Sequence, residues 1–470
     1  MTSLHTSIEK KLTEIVGRDA VFSDKSTTLV YAKDTMPWDV EEHNIPYAVV
    51  RPESSQEISK ILEYASAQDI PVHTHGSGTS LVGLGRPKGK GIVLDMARFQ
   101  DFVAYPERGF FEVGAGMHIG NLRKKLKPYQ AMLPVFPGSE LIATIGGSVS
   151  VNTSAHAVDA SLCKPGDYVL GLEAVLADGS ILQTGTESTR KPAGIEMTKF
   201  LVGSEGLLCV ITRIRMRLIP EPYQANIVAY YPSTEDVIDT VMSMYAQQVH
   251  PPLFFEYLDE KSSRVGFEAV GLEPPSGAVA MMTVHGSTEN GCQEKARIFE
   301  EFLRSTSGHD ISIVHDDELW KRIWGSRSEA GNYVYRLGST FGSELTPRVD
   351  ALKLAFQEMK DHILNLESYP NPEFYSFGHI GAPTIHAYAF IPSKDIPNDV
   401  KRNVTMEVRN KSENINVKYG GCGGEWGLTA QRSNFLRQKY GQHYFDALVR
   451  LKKSFDPQNI LNRGNLEGWF

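Results

Sequence analysis

The stretch Ile70-Pro71-Val72-His73-Thr74-His75-Gly76-Ser77-Gly78-Thr79-Ser80-Leu81 decides the fold of the first part of this 470-residue chain. Its apolar start predicts a buried strand, and glycines and hydroxyl residues follow. Glycines let backbone N–H groups converge on phosphate oxygens because no Cβ stands in the way. The side chains of Ser77, Thr79 and Ser80 would add hydrogen bonds. The stretch therefore indicates a strand that leads into a diphosphate-binding loop, with a spacing unlike the dinucleotide fingerprint.

Segments on either side repeat this pattern of strands and small-residue turns. Ser55 to Ser66 has the apolar spacing of a helix, and apolar runs from residue 92, residue 110 and residue 170 predict strands. Strands that alternate with helices are typical of an α/β domain. Three further turns would let a large planar ligand approach the backbone: Pro137-Gly138-Ser139, Ala143-Thr144-Ile145-Gly146-Gly147-Ser148 and Gly203-Ser204-Glu205-Gly206.

The character of the sequence changes near Pro220. Residues 226 to about 389 read as strand–helix–strand units with longer amphipathic helices, which predicts an antiparallel sheet with helices on one side. The last segment, Phe435 to Phe455, reads as one helix. We therefore divide the chain into residues 1–220, with a core of about 42–220, residues 221–420, and residues 421–470.

Composition excludes several functional classes. The net charge is −8 and no basic cluster is present, so nucleic acid is not an expected partner. The four cysteines form no Cys-x-x-Cys pair, which argues against an iron–sulfur cluster or structural zinc in this chain. We see no signal peptide and no run of about 20 apolar residues. The expected location is cytoplasmic, with peripheral membrane contact left open.

Two histidines and a distant glutamate form a candidate metal site. His379 and His386 stand seven residues apart, and Glu425 follows in Gly423-Gly424-Glu425-Trp426-Gly427. Three such ligands bind a divalent ion and leave a position for substrate. Residues seven apart on one strand face opposite sides, so a shared ion requires the turn predicted at Gly381 to Thr384. Together with the glycine loop, the site suggests a flavin enzyme that oxidises a metal-held small molecule.

These motifs, in this order, resemble the vanillyl-alcohol-oxidase-type (PCMH-type) FAD flavoproteins. The nearest branch is that of the glycolate oxidase flavoprotein subunit, D-lactate dehydrogenase and D-2-hydroxyglutarate dehydrogenase. The resemblance covers nearly the whole chain and includes Tyr168 to Gly179, Leu201 to Thr212, Gly378 to His386 and Leu451 to Asn465. It implies an α+β fold: a two-subdomain FAD-binding domain, an antiparallel-sheet substrate (cap) domain, and a C-terminal helical segment that returns to the FAD domain.

The resemblance also implies roles for individual residues. The first glycine loop would bind the FAD diphosphate, with His75 as a structural residue or a backbone donor, and Asn462 would reach the flavin from behind. Thr79 matches the position of the histidine that tethers flavin in some relatives, so FAD would be non-covalent. The segments that would line the isoalloxazine and adenosine contain Pro137, Gly138, Ser139, Thr144, Gly146, Gly147, Ser148, Glu205 and Ile211.

His379, His386 and Glu425 match the ligands of the family's metal, which here would be Zn, Fe or Mn. Arg327 resembles the arginine that clamps the substrate carboxylate. Two departures concern catalysis: Tyr388 replaces an asparagine, and Trp426 replaces the histidine that acts as general base. Tryptophan has only an N–H donor and accepts no proton. Tyr388, Tyr419 and Tyr375 are candidate replacements, and deprotonation on the metal with proton loss to water is an alternative.

The implied activity is oxidation of a small 2-hydroxy acid of the D-lactate or glycolate type by hydride transfer to flavin N5. Since the chain has no cluster or haem motif, the electrons would pass to an electron-transfer flavoprotein, an iron–sulfur subunit or a quinone. A homodimer is compatible with the sequence. Two alternatives stay open: a metal-free flavin enzyme of the same fold acting on another alcohol, and a catalytically silent subunit that relays electrons.

Overall fold

The computed structural model describes residues 2–37, 39–135, 137–154, 156–157, 164–188, 194–421, 425–428 and 430–465. Cys163 and Cys422 lie outside these residues, whereas Cys209 and Cys292 are buried free thiols. Helices, in chain order, are α1 (Thr2–Val16), α2 (Lys25–Tyr31), α3 (Ser55–Ala67), α4 (Ile119–Leu126), α5 (Ile145–Val151), α6 (Met197–Leu201), α7 (Thr234–Ala246), α8 (Glu260–Ala269), α9 (Glu289–Arg304), α10 (Asp317–Leu337), α11 (Leu352–Leu364), α12 (Asn398–Tyr419), α13 (Ala430–Tyr440) and α14 (Gln442–Phe455).

The strands build separate sheets. In chain order they are β1 (Val21–Phe22), β2 (Ala48–Val50), β3 (Val72–His75), β4 (Ile92–Asp95), β5 (Phe102–Tyr105), β6 (Phe110–Gly114), β7 (Ala131–Met132), β8 (Val169–Val175), β9 (Ile181–Gln183), β10 (Val210–Arg217), β11 (Ile219–Pro220), β12 (Tyr223–Tyr231), β13 (Phe254–Leu258), β14 (Ala278–Gly286), β15 (His309–Val314), β16 (Ser339–Leu345), β17 (Glu373–Gly378) and β18 (Ile385–Ile391).

Contacts divide the described residues into two units. Unit 1 draws on residues 1–155, 164–220 and 425–470, and unit 2 on residues 156–163 and 221–424. His156 and Ala157 thus belong to unit 2, where Ala157 forms an isolated antiparallel bridge with Phe254. No helix among the described residues has the length and apolar character needed to cross a bilayer.

Unit 1 contains two main sheets around one core. Strands β2, β4 and β3 are parallel, and β1 adds to β2 in the antiparallel sense. Helix α3 makes the crossover between β2 and β3: Ser54 caps its N-terminus, and its apolar stripe is fully buried. The second sheet is antiparallel, in the order β5-β6-β10-β8-β9. The core joins apolar residues of both sheets with the C-terminal Ile460 and Leu461.

The C-terminal helical segment corrects one expectation. Instead of one helix from Phe435 to Phe455, α13 ends at Tyr440 and α14 begins at Gln442. Gly441 between them has a φ of 85°, a left-handed conformation that glycine adopts without a Cβ penalty. A single glycine inside a helical pattern does not by itself predict a break, which is why the segment reads as one helix.

Unit 2 is built on an antiparallel sheet in the order β15-β12-β14-β13-β17-β18-β16. One face packs on α7, α9, α11 and α12, through residues such as Ile227 and Met282. The opposite face carries Val228 and Met281, which pack with Phe267 of α8 and Ile323 of α10. The expectation of helices on one side was therefore wrong. The cause is visible in the strands, where both alternating sets of side chains are apolar.

Candidate active site

The glycine loop follows β3 in unit 1, and two of its hydroxyls are engaged in building the loop. Ser80 Oγ accepts hydrogen bonds from the N–H groups of Val82, at 3.2 Å, and Leu84, at 3.1 Å. Ser77 Oγ donates to the carbonyl of Ile142. Gly78 has a φ of 64°, and an added Cβ would lie 3.1 Å from His75 Nε2. The conformation of the loop therefore depends on glycine at position 78.

His75, at the end of β3, is buried edge-on against Tyr31 with ring centroids 4.8 Å apart. Burial lowers the pKa of its imidazole, although Asp95 acts in the opposite direction. This packed ring supports the loop at its base, and both roles expected for His75 stay predictions. Thr79 is half-buried in the same loop.

The loop lies directly against the second small-residue turn. A Cβ added at Gly76 would lie only 2.6 Å from Thr144 Oγ1. Thr144 caps α5 by accepting the N–H of Gly147 at 3.2 Å, and α5 itself contains Gly146 and the buried Ser148. At Gly146 an added Cβ would lie 2.6 Å from the Cβ of Ala115. Gly76 thus lies against the side chain of Thr144, and Gly146 lies against Ala115, so each of these close approaches requires glycine.

Asn462 ties three of the predicted segments together. Its Oδ1 accepts the N–H of Thr74 at 3.1 Å, and its Nδ2 donates to the carbonyl of Glu205 at 2.7 Å. The backbone N–H of Asn462 donates to the carbonyl of Val72 at 2.8 Å. A Cβ at Gly206 would meet Nδ2 at 2.3 Å. The glycine loop, the Gly203–Gly206 turn and the C-terminus are therefore held in one network.

The remaining predicted cofactor residues also lie in unit 1. The carbonyl of Pro137 accepts the N–H of Glu140 at 3.0 Å, and the carbonyl of Ser139 accepts that of Ala143 at 2.8 Å. These bonds form the turn in which Gly138 is exposed. Ile211 is buried in β10 next to a register shift against β8.

Glu205 carries a buried carboxyl in this network. Burial raises its pKa to about 8, while the N–H of Leu428 and the charge of Arg432 act in the opposite direction. The group is therefore predominantly protonated at neutral pH. Its Oε2 has no hydrogen-bond partner among the described residues.

Buried polar atoms without hydrogen-bond partners also support the binding of FAD to unit 1. Five buried polar atoms of the glycine-loop stretch and the Gly203–Gly206 turn lack a partner among the described residues: His73 Nε2, Thr74 Oγ1, His75 Nδ1, Ser204 Oγ and Glu205 Oε2. Buried polar atoms are normally satisfied, so orphans in these segments are expected where a ligand supplies the missing groups.

In unit 2, the β17–β18 hairpin brings the two predicted histidine ligands together. β17 ends at Gly378, a turn spans residues 380–383, and β18 begins at Ile385. His379 follows the first strand, while His386 pairs in register with Phe377. His379 Nε2 and His386 Nε2 lie 3.4 Å apart, and both side chains are buried. Two ligand atoms each about 2.0–2.1 Å from one tetrahedral ion lie about 3.3 Å apart, so the two imidazoles fit a common ion.

A buried carboxylate lies on the other side of His379. Glu256, in the centre of β13, is fully buried, and its Oε1 lies 2.5 Å from His379 Nδ1 and 3.0 Å from His156 Nδ1. Arg327 Nε, from α10, donates to Glu256 Oε2. Burial by itself would raise the pKa of Glu256, but His379, Arg327 and His156 together hold it well below its usual range. Glu256 is therefore a carboxylate, which the surrounding donors satisfy.

His156 completes this cluster. Its Nδ1 lies 3.1 Å from His379 Nδ1, and its ring packs edge-on against Trp324 at 5.6 Å. Burial lowers the pKa of His156 to about 4, although Glu256 acts in the opposite direction. The ring is therefore neutral at physiological pH.

Arg327 is buried between two partners. Besides Glu256, its guanidinium lies over the ring of Phe377 at 5.1 Å from the centroid. Since Nε faces the carboxylate of Glu256, a ligand that binds this guanidinium would contact its two Nη groups. Arg327, which we predicted to bind the substrate carboxylate, thus also donates a hydrogen bond to Glu256.

The three candidate tyrosines have different surroundings. Tyr388 is two residues beyond His386 on the same face of β18, and its ring stacks on Phe377 at 5.1 Å. Tyr375 packs against Phe390 with ring centroids 5.5 Å apart. The hydroxyl of Tyr419 donates to Glu358 Oε2 at 3.2 Å. Tyr388 is therefore the one that shares a strand face with a predicted ligand.

Glu425 and Trp426 belong to unit 1, as does the rest of the C-terminal segment. Both residues are half-buried. The guanidinium of Arg432 lies 6.0 Å from the centroid of the Trp426 ring. The third predicted metal ligand and the tryptophan that follows it therefore belong to unit 1, whereas His379 and His386 belong to unit 2.

Sequence reasoning missed His156 and Glu256. A signal for Glu256 was present, because it interrupts the otherwise apolar run Leu253-Phe254-Phe255-Glu256-Tyr257-Leu258, and a charge inside a buried strand requires partners. His156 gave no comparable signal. Its segment has no periodicity, and its membership of unit 2 depends on a long-range contact.

Two protein families match this chain. Residues 46–185 match a family described as FAD binding domain, and residues 221–466 match one described as FAD linked oxidases, C-terminal domain.

Full-length relatives are similar at modest identity. The glycolate oxidase subunit GlcD of Bacillus subtilis (strain 168) is 26% identical, over 98% of this chain and 96% of its own length. A D-lactate dehydrogenase of Archaeoglobus fulgidus is 27% identical, over 89% of this chain and 91% of its own length. A mitochondrial D-2-hydroxyglutarate dehydrogenase of Danio rerio is 25% identical, over 88% of this chain and 77% of its own length.

Solved structures share the fold. The structure of p-cresol methylhydroxylase with substrate bound has a TM-score of 0.80 at 16% identity, and covers 98% of this chain and 96% of its own. An alkyldihydroxyacetonephosphate synthase has a TM-score of 0.78 at 15% identity, and the match covers 97% of this chain and 85% of its own. At such identities the likeness concerns the fold alone. The predicted α+β, PCMH-type architecture is confirmed by these matches.

Proposed function

This chain belongs to the family of FAD-linked oxidases, and from that premise we propose that it oxidises a 2-hydroxy acid of the D-lactate or glycolate type to the 2-oxo acid. The names of the relatives support this substrate class, since they include a glycolate oxidase subunit, a D-lactate dehydrogenase and a D-2-hydroxyglutarate dehydrogenase. The single observation that carries the proposal is the pair of buried imidazoles, His379 and His386, with their Nε2 atoms 3.4 Å apart.

We assign a divalent ion, Zn, Fe or Mn, to His379 and His386, with Glu425 as the third ligand on the basis of the sequence motif. When bound, the ion would polarise the substrate hydroxyl, and FAD would accept the hydride at N5. FAD would be held without a covalent bond by the glycine loop, the two small-residue turns and Asn462. The Nη groups of Arg327 would bind the substrate carboxylate as a fork.

The proton of the substrate hydroxyl needs an acceptor other than Trp426, which has only an N–H donor. Tyr388 is the candidate we favour for hydrogen bonding to the substrate, because it shares the strand face of His386. The substrate hydroxyl would lose its proton to water while bound to the metal, as the alternative to a side-chain base. Trp426 would shape the substrate pocket. Electrons would then leave to an electron-transfer flavoprotein, an iron–sulfur subunit or a quinone.

Anaerobic reduction of the purified flavoprotein tests the activity. The protein is mixed with D-lactate, glycolate, D-2-hydroxyglutarate and larger 2-hydroxy acids, and loss of the flavin absorbance is followed. The L-enantiomers serve as matched controls for the chiral substrates. Rapid bleaching by one of these acids supports the proposal. No bleaching by any donor supports the silent electron-relay subunit, which the replacement at Trp426 makes a real alternative. Bleaching with less than half an equivalent of metal supports a metal-free enzyme.

His386→Ala separates the metal from the flavin. It removes one imidazole of the pair, so we expect metal content and reduction by substrate to fall by at least about tenfold while FAD stays bound. Metal analysis, flavin absorbance and the anaerobic assay measure these quantities. His250→Ala, which changes an exposed histidine of unit 2, is the control. Full activity in the His386 variant contradicts the metal assignment.

A further inference from the structure

The two ring nitrogens of His379 face different kinds of partner. Nε2 lies 3.4 Å from His386 Nε2, close to the separation of about 3.3 Å expected for two ligands of one tetrahedral ion. Nδ1 lies 2.5 Å from Glu256 Oε1. That distance is too short for two atoms bound to the same ion. It is also shorter than an ordinary N–H···O hydrogen bond, but a hydrogen bond to a carboxylate is the contact that brings a ring nitrogen and an oxygen closest. The distances therefore separate a ligand side of the ring from a hydrogen-bonded side.

Glu256 is held in place from three directions. His379 Nδ1 and His156 Nδ1 both approach Oε1, and Arg327 Nε donates to Oε2. A carboxylate has only acceptors, so each of these contacts requires the nitrogen to carry the hydrogen. In both imidazoles the proton would thus reside on Nδ1, and the lone pair would remain on Nε2.

His156 is fixed by packing as well as by this bond. Its ring lies edge-on to Trp324, which in turn packs against Phe254 with centroids 5.5 Å apart. Ala157, the next residue, bridges to Phe254 of the strand that carries Glu256. The segment therefore brings a second N–H group to the carboxylate and closes one side of the cluster.

We propose that Glu256, supported by His156 and Arg327, is a positioning residue that holds His379 in the Nδ1–H tautomer and directs Nε2 to the metal. The proposal rests on the metal assignment of the proposed function. Carboxylates that orient metal-bound histidines in this way typically change metal affinity by 10- to 100-fold when mutated. Arg327 accordingly has a role in the absence of substrate, in addition to any contact with the substrate carboxylate.

The competing interpretation is a second ion bound by His156, Glu256 and His379, whose donor atoms all lie within 4.8 Å of one another. It predicts two metal equivalents per chain and loss of one of them in His156→Ala. The positioning role predicts one equivalent, present in both the wild type and that variant. Metal stoichiometry of the FAD-loaded full chain therefore separates the two, and two equivalents overturn the proposal.

Glu256→Gln tests the positioning role directly. Dissociation constants for Zn²⁺ and Mn²⁺ are measured by chelator competition on the FAD-loaded protein without substrate, and we expect a 10- to 100-fold weakening with unchanged flavin content. His156→Asn should weaken binding in the same direction by a smaller factor. Glu407→Gln and His362→Asn are the matched controls, because they change a half-buried His–Glu pair of unit 2 that joins α11 and α12. Both controls should retain the wild-type constants.

The imidazole tautomer provides a readout that a loss of packing would not produce. In protein labelled with ¹⁵N-histidine, the nitrogen shifts of His379 should identify Nδ1 as the protonated nitrogen, and Glu256→Gln should allow the other tautomer. Unchanged metal affinity in Glu256→Gln, protonation on Nε2 in the wild type, or no metal binding by the wild type overturns the inference. If metal affinity falls as expected but no hydroxy acid bleaches the flavin, the inference stands and the proposed substrate class fails.

Discussion

Lys452 is the residue whose replacement tests most directly how the C-terminal segment is attached to unit 1. Its ammonium is almost fully buried at the end of α14 and donates to Asp456 Oδ2 at 2.5 Å, to the carbonyl of Leu207 at 2.8 Å and to that of Leu461 at 3.1 Å. Asp456 in turn accepts the N–H groups of Ile460, at 3.0 Å, and Leu461, at 2.8 Å. One ion pair thus positions the residues that immediately precede Asn462.

We expect Lys452→Met to lower the free energy of unfolding by about 3–5 kcal/mol, the usual cost of removing one partner from a buried ion pair. Methionine preserves most of the volume, so the loss comes from the unpaired carboxylate and the two carbonyls rather than from a cavity. Burial lowers the pKa of Lys452 more than Asp456 raises it. The intact pair therefore adds little net stability, yet breaking it is expensive because a charge remains buried.

Urea unfolding of the FAD-loaded protein, followed by circular dichroism and flavin fluorescence, measures this loss. Lys453→Met, at an exposed neighbouring position, is the matched control and should cost less than about 1 kcal/mol. Hydrogen exchange provides a local test, because the amides of Ile460 and Leu461 should exchange faster in the Lys452 variant. If the two variants unfold within about 1 kcal/mol of each other, the pair does not hold the segment and our reasoning is refuted.

Two further predictions concern unit 1. Gly76→Ala places a Cβ 2.6 Å from Thr144 Oγ1, so we expect the loop to move away from α5 and flavin content per chain to fall several-fold; Gly89→Ala, where nothing lies within 4 Å, should retain the wild-type content. Burial raises the pKa of Glu205 from 4.5 to about 8, so its neutral form favours the folded state: stability should fall by up to about 5 kcal/mol as pH rises from 4.5 through 8. Glu205→Gln should flatten this part of the pH profile of the melting temperature, and an unchanged profile would show that another group titrates.

Much of the fold could be predicted from local patterns. Helix α3 has its apolar residues on one stripe and a serine cap, and the observed helix differs from the expected one by a single residue at its C-terminal end. The strand before the glycine loop was likewise expected, although β3 begins at Val72 and extends to His75. Such features depend on residues a few positions apart, so a local pattern is sufficient to encode them.

Two errors came from patterns that local periodicity does not resolve. The break at Gly441 depends on one glycine adopting a positive φ inside a segment that otherwise reads as helical. The second layer of helices on the sheet of unit 2 exists because helices pack on both apolar faces of the strands. Both strand faces were visible in the sequence, but alternation alone cannot distinguish a core face from a face covered by another helix.

The sequence by itself determined the types and spacings of the candidate site residues: a glycine loop after a strand, two histidines seven apart across a turn, and a tryptophan directly after the candidate glutamate ligand. Only the tertiary structure decided that Glu256 and His156 contact His379 and that Arg327 contacts Glu256. The physical reason is that local spacing fixes which face a side chain occupies, whereas the partner it meets depends on strand register and on contacts between segments far apart in the chain. The contact of His379 Nδ1 with Glu256, and with it the direction of Nε2 towards His386, therefore depends on the tertiary structure rather than on the sequence motif.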